Sequence, residues 1–379
     1  MPGSGRYDAI VIGCGVMGAS ATYNLAKGGV KTLCLEQFGL NHDKGSSHGR
    51  TRIYRQAYYE DERYVPMLRR ALDSWNDLEA RSHRPLFKKT GGLMIGKPDG
   101  QLVSRARKSA EIHGLPHRMM TAQEVNSEFP SLRLGEEMMA LREENAGFLH
   151  LEESVDAFVQ SAKDEGAEFG FSEGVTKWER ADDRFEVSTS KGVYGADGIV
   201  FCAGPWMTKV AGDSLPLRCE RQVQFWFASG GEERFQADNM PIFISEEEGG
   251  AFYYGIPDVG HGVKVARSHG GRAVDPDRTD MAIDESDVQP IMSFAAKRTT
   301  LPRARPISAA SCIYTNTPDM NFALGPLPQV PGAIVVSACS GHGFKFASVI
   351  GEIVAQLVAG RDCSFDISFL SPARFTRGV

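Results

Sequence analysis

The first 36 residues constrain this chain more than any other stretch. Residues 7–13 (YDAIVIG) form an apolar run suited to a buried strand, and the run leads directly into Gly13-Cys14-Gly15-Val16-Met17-Gly18, a GxGxxG turn. A helix is expected from about Val16 to Lys27, stopped by Gly28-Gly29, and residues 30–36 (VKTLCLE) read as a second strand. This is a complete βαβ unit of the dinucleotide-binding kind. Gly13 permits the tight turn, Gly15 lets the backbone approach a pyrophosphate beside Val16 and Met17, and Gly18 lets the helix lie close on the strand. The helix N-terminus favours the negative charge. Glu36, followed by Gln37, ends the second strand about 20 residues further on, where a carboxylate can bind a ribose hydroxyl. The motif does not choose between NAD and FAD.

The rest of the chain lacks the regular β–α alternation that an NAD dehydrogenase would continue with. Helical spacing is present over 62–81 (Val65, Leu68, Leu72, Trp75, Leu78) and over 153–165 (Val155, Phe158, Val159, Ala162). Short alternating strands are expected at 168–171, 176–179 and 185–189. They lead into the apolar strand 198–204, which ends in Gly204-Pro205. The stretch from Ala196 to Trp206, with Ala203 and Gly204, resembles a second signature found in many flavoproteins. Strand-like runs dominate 222–269, and a strand at 335–338 precedes a glycine loop and a helix over about 344–358. These observations predict an α/β (α+β) protein. A Rossmann-like FAD-binding domain is assembled from 1–81, 146–220 and 306–379. A second domain on a mostly antiparallel sheet comes from 82–145 and 221–305.

Composition narrows the function classes. The net charge of −6 over 379 residues offers no basic face for nucleic acid. No apolar run is long enough to span a membrane. Met1 to Arg6 runs straight into the first strand, which implies no signal peptide, and Arg377-Gly378-Val379 is not a peroxisomal address. Seven scattered cysteines with no CxxC pair suggest neither a disulfide framework nor a metal site, and fit a reducing cytoplasm.

Four segments then come in order: GSSHGRTRIYR from Gly45 to Arg55; Tyr253-Tyr254-Gly255-Ile256-Pro257 with Val263-Lys264-Val265; CIYTNTPD from Cys312 to Asp319; and Ser340-Gly341-His342-Gly343-Phe344-Lys345. Together they resemble the monomeric sarcosine oxidase family, which includes N-methyltryptophan oxidase and L-pipecolate oxidase and has a D-amino-acid-oxidase-like fold. The resemblance spans nearly the whole chain. It implies an FAD oxidase of a secondary amino acid that reduces O2 to hydrogen peroxide and acts as a monomer. A cyclic imino acid, a sugar-modified amino acid or a non-oxygen acceptor remain alternatives.

The resemblance also assigns residues. FAD would be attached as 8α-S-cysteinyl FAD through Cys312, which calls for an accessible cysteine of depressed pKa; Cys339 is read as packing. Gly341, Gly343 and Phe344 would open a helix toward the flavin ring, where amide donors and positive potential stabilise an anionic reduced ring. Lys345 at that helix start is a cation set against the dipole, which suggests a bound anion. Arg55 and Lys345 would clamp the substrate carboxylate. Gly45, Ser46, Thr51, Arg52 and Val175 would lie near the cofactor and Tyr254 in the active site. Lys264 would favour electron transfer to O2 through a bridging water. The family's histidine falls four residues after that lysine; here Ser268 holds the spacing and His269 lies one further on, with Arg267 before it. Arg50, Tyr54 and Gly325 also depart from the commoner residues. These changes surround the substrate and leave the flavin machinery in place.

Overall fold

The computed structural model describes residues 3–212, 215–278, 281–302 and 305–375. The Arg377-Gly378-Val379 end lies outside the described residues. Two eight-stranded sheets and one three-stranded sheet form among them.

The first sheet grows from the N-terminal unit. Gly3–Ile12 pairs in parallel with Thr32–Leu35 on one side and Gly192–Phe201 on the other. Glu168–Gly170 and Ala333–Ser337 extend it in parallel, and the hairpin of Val175–Ala181 with Arg184–Thr189 adds two antiparallel strands. Its first strand is apolar on both faces because both are covered. Ala9 and Val11 pack in a cluster with helix Val16–Lys27, whereas Ile10 and Ile12 pack with Phe185 and Phe201. Helix Val16–Lys27 keeps the bounds that the sequence predicts and packs against Leu151–Asp164 and Ala347–Val358. Ser20 Oγ donates to Ala347 O at 2.7 Å.

The second sheet runs Ser308–Asn316, Arg218–Phe227, Val263–Ser268, Phe252–Ile256, Ile242–Glu246, Gly92–Gly96, Met139–Glu143, His117–Thr121. Only Ile242–Glu246 with Gly92–Gly96 is parallel. Ser308–Asn316, which the sequence groups with the nucleotide-binding pieces, therefore hydrogen-bonds into this second sheet. The expected helix over 344–358 divides into a 3-10 turn, Phe344–Phe346, and helix Ala347–Val358. Among the described residues no helix is long and apolar enough to cross a membrane, and no cluster of His, Cys, Asp or Glu is placed to hold a metal ion. All seven cysteines are free.

Candidate active site

A cavity of about 750 Å³ runs between the two large sheets, from the glycine turn to the strand that carries Cys312. Gly13, Gly15, Val16, Met17, Glu36, Gln37, Gly45, Ser46, Thr51, Arg52, Arg55, Val175, Ala203, Gly204, Trp206, Tyr254, His269, Cys312, Gly341, Gly343, Phe344 and Lys345 line it. Arg50, Tyr54 and Gly325, expected around the substrate, do not line it: Tyr54 is fully buried with its hydroxyl on Leu68 O, and Gly325 sits in the first sheet opposite Val335. Nor do two residues assigned to the site itself. Gly18 packs beneath, where a Cβ would meet Gly13 O at 1.8 Å. Lys264, 1 % exposed, lies behind the wall and donates to Gly49 O and Thr51 O, both at 2.9 Å.

At one end Gly13 takes a φ of 97°, and helix Val16–Lys27 begins at Gly15 without a side-chain cap. Its first-turn N–H groups are thus available to an anion, apart from that of Val16, which donates to Ser47 Oγ at 3.2 Å. Glu36 accepts one N–H on each oxygen, from Cys14 at 2.7 Å and Phe38 at 2.9 Å. A carboxylate oxygen has a second lone pair, so both remain able to accept from ribose hydroxyls.

At the other end Gly341 (φ 77°) brings the backbone close under Tyr314; a Cβ there would lie 2.6 Å from the tyrosine ring. Arg55 is buried and pairs with both oxygens of Glu60, at 2.5 and 2.6 Å. Burial works to raise the Glu60 pKa, but Arg55, with His342 and Lys345, outweighs it and holds the acid ionised. Lys345 is 5 % exposed and donates to His342 O at 2.6 Å. Burial first, then the Arg55 charge, brings its pKa down to about 7 against the pull of Glu60. The lysine expected to stand uncompensated at a helix start is thus anchored by a carbonyl in the turn before the helix.

Cys312 differs from expectation. It lines the cavity but is 2 % exposed, and burial raises its pKa instead of lowering it; Arg52, Lys264 and Gln224 work in the opposite direction. The cause is its position inside a sheet, opposite Gln222. Lys264 is likewise pushed well below the ordinary lysine value by burial and then by Arg52, with Cys312 and Glu152 opposing. His269 reaches the cavity through a left-handed backbone (φ 63°), edge-on to Tyr314 and with Nδ1 3.9 Å from Glu220 Oε2. Cys339 Sγ packs on Ser337 O at 3.1 Å. Sequence reasoning assigned no role to Glu60, Gln224, Tyr314 or Glu220. Tyr314 was legible: two residues from Cys312 on one strand, it shares that face.

The donor set fits FAD: an uncapped helix start and a carboxylate at one end, a close-approach glycine and a buried cationic wall at the other. A family model described as FAD dependent oxidoreductase matches residues 8–357. A monomeric sarcosine oxidase from Streptomyces avermitilis is 38% identical over 98% of both chains. An N-methyl-L-tryptophan oxidase from Citrobacter koseri is 32% identical over 98% of this chain and 100% of its own. In fold, the chain is similar to an L-proline dehydrogenase from P. horikoshii, with TM-score 0.86, 23% identity and 99% of each chain covered. The chain belongs to the FAD-dependent oxidoreductase family, in the group of monomeric sarcosine oxidase and N-methyl-L-tryptophan oxidase.

Proposed function

We propose that the protein oxidises the C–N bond of a small secondary amino acid of the sarcosine kind, as a monomer, with oxygen as final acceptor. The observation that carries this reading is the buried pair Arg55 and Lys345 on one cavity wall, where Glu60 is the acid that ion-pairs Arg55. Glu60 pairs with Arg55, and Lys345, bonded only to a carbonyl among the described residues, can take up a proton to meet the carboxylate of a substrate. Arginine offers it a planar fork and lysine a point charge.

FAD, when bound, supplies the two-electron acceptor that takes hydride or its equivalent from the carbon next to nitrogen and returns the electrons to O2 as hydrogen peroxide. The chain's own residues bind and orient. Gly13, Gly15, Val16, Met17 and Gly18 shape the pyrophosphate turn, Glu36 and Gln37 take the ribose, and Cys312 tethers the ring as a thioether. Gly45, Ser46, Thr51, Arg52, Val175, Ala203, Gly204, Trp206, Gly341, Gly343 and Phe344 complete that cradle. Tyr254 and His269 flank the amine end, and the buried cation Lys264 assists reoxidation through the Thr51 wall. In this division 1–81, 146–220 and 306–379 serve FAD, and 82–145 and 221–305 serve substrate. Orientation is the protein's main contribution, so the site needs no strong base.

A peroxide assay over N-methyl and cyclic amino acids tests the reading. Turnover of N-methyl amino acids supports it. Absence of peroxide with every secondary amino acid, from protein that carries flavin, rejects it.

A further inference from the structure

Thioether formation at Cys312 needs a thiolate, and burial works against one there. Arg52 and then Lys264 favour the thiolate by their charge, while their N–H groups go to backbone carbonyls. Arg52 donates to the carbonyls of Ser46, His48 and Thr51, and Lys264 to those of Gly49 and Thr51. A neutral donor directed at the sulfur itself would add to their effect.

Gln224 stands in that place. In the antiparallel pair of Arg218–Phe227 with Ser308–Asn316, Gln222 lies opposite Cys312 and Gln224 opposite Ala310. Gln224 is therefore the diagonal neighbour of Cys312 on the same face, within reach of a long side chain. It is 2 % exposed and lines the cavity. Arg52 Nη1 donates to Gln224 Oε1 at 3.2 Å. A guanidinium only donates, so the amide oxygen must face it and the NH2 must point away. That Nε2 is buried and completes no hydrogen bond within the protein.

We propose that Gln224 is a positioning residue for cofactor attachment: Arg52 holds its oxygen, and its Nε2–H groups are aimed at Cys312 Sγ to favour the thiolate. The proposal rests on Cys312 being the attachment point. Gln224 is also among the influences that lower the Cys312 pKa. Attachment breaks the Cys312 S–H and one C–H of the flavin 8-methyl group and forms a C–S bond. Two protons are released and two electrons pass to the ring, and O2 then reoxidises it, taking up two protons to give hydrogen peroxide.

The test uses full-length protein produced without flavin and then mixed with FAD, the readout being flavin retained after acid precipitation. Gln224→Glu keeps the size and the Arg52 acceptor but turns an anion toward sulfur; Gln224→Leu removes the donor and leaves Arg52 its three carbonyls. Both variants should link FAD roughly tenfold more slowly, with the pH of half-maximal rate raised by about one unit. Non-covalent FAD affinity, measured in the Cys312→Ser background, should change less than about twofold. Linkage at the wild-type rate and pH midpoint in both variants would overturn the role of Gln224 alone, as would a loss of FAD affinity that matches the loss of linkage. Wild-type protein that binds FAD yet releases all of it on precipitation would overturn the Cys312 reading with it.

Discussion

Lys345 lies buried beside Arg55, and its pKa of about 7 places its charge in the working pH range. A bound carboxylate favours the ammonium form, so above pH 7 binding must bring a proton with it. Affinity for a carboxylate inhibitor that lacks an amine should therefore be flat below pH 7 and fall up to about tenfold per pH unit above it. Calorimetric titration across pH checks this; Lys345→Met should bind more weakly and flatten the profile, and an unchanged profile would remove Lys345 from the clamp. Lys264→Met should slow flavin reoxidation by O2 by about a hundredfold while leaving anaerobic reduction nearly unchanged, as read by stopped flow. At this scale the sequence showed the residues that sit in compact motifs: Arg55, Cys312, Lys345. It did not show Glu60 as the partner of Arg55, because five residues of spacing say nothing of a turn that folds back. Nor did it show Gln224, whose neighbour Cys312 is 88 positions away and is reached only through strand pairing.

The element that fixes the cationic wall is helix Val65–Ser82. Its Trp75 is fully buried and donates Nε1–H to Lys345 O at 2.8 Å, tying the turn Phe344–Phe346 to the helix. Trp75→Phe keeps most of the apolar volume and loses that bond. It should lower stability by about 1–2 kcal/mol in urea unfolding and weaken carboxylate binding. A stability loss with unchanged binding would separate the helix from the site. Helices with a clean apolar stripe were legible in sequence; those within the second unit were not. Glu285–Arg298 carries Pro290 in its interior, which reads as a break, while the capping box from Asp284 to Asp287 that starts it is formed by two short acids. Ser308–Asn316 was legible as a motif, but its partner strand was not, since register is decided by packing across the sheet.

For the whole molecule, the cavity depends on two sheets being held around it. Trp206, just after the strand Gly192–Phe201, donates Nε1–H to Asp277 Oδ1 at 2.6 Å, and Lys209 pairs with Asp275 at 2.6 Å and with Asp277. These contacts join the first sheet to the segment that follows Val263–Ser268. In the Cys312→Ser background, Asp277→Ala, which removes the Trp206 bond together with the exposed Lys209 pair, should weaken FAD binding roughly fivefold, a loss of about 1 kcal/mol; fluorescence titration reads it directly. The proposed oxidation requires flavin and a carboxylate-binding wall to share one cavity. Its most direct measurement is the anaerobic visible spectrum of the holoenzyme mixed with an N-methyl amino acid, and separately with the amide of the same compound. The flavin band should bleach with the acid and stay nearly intact with the amide. Equal bleaching by both, or none by any secondary amino acid, would contradict it.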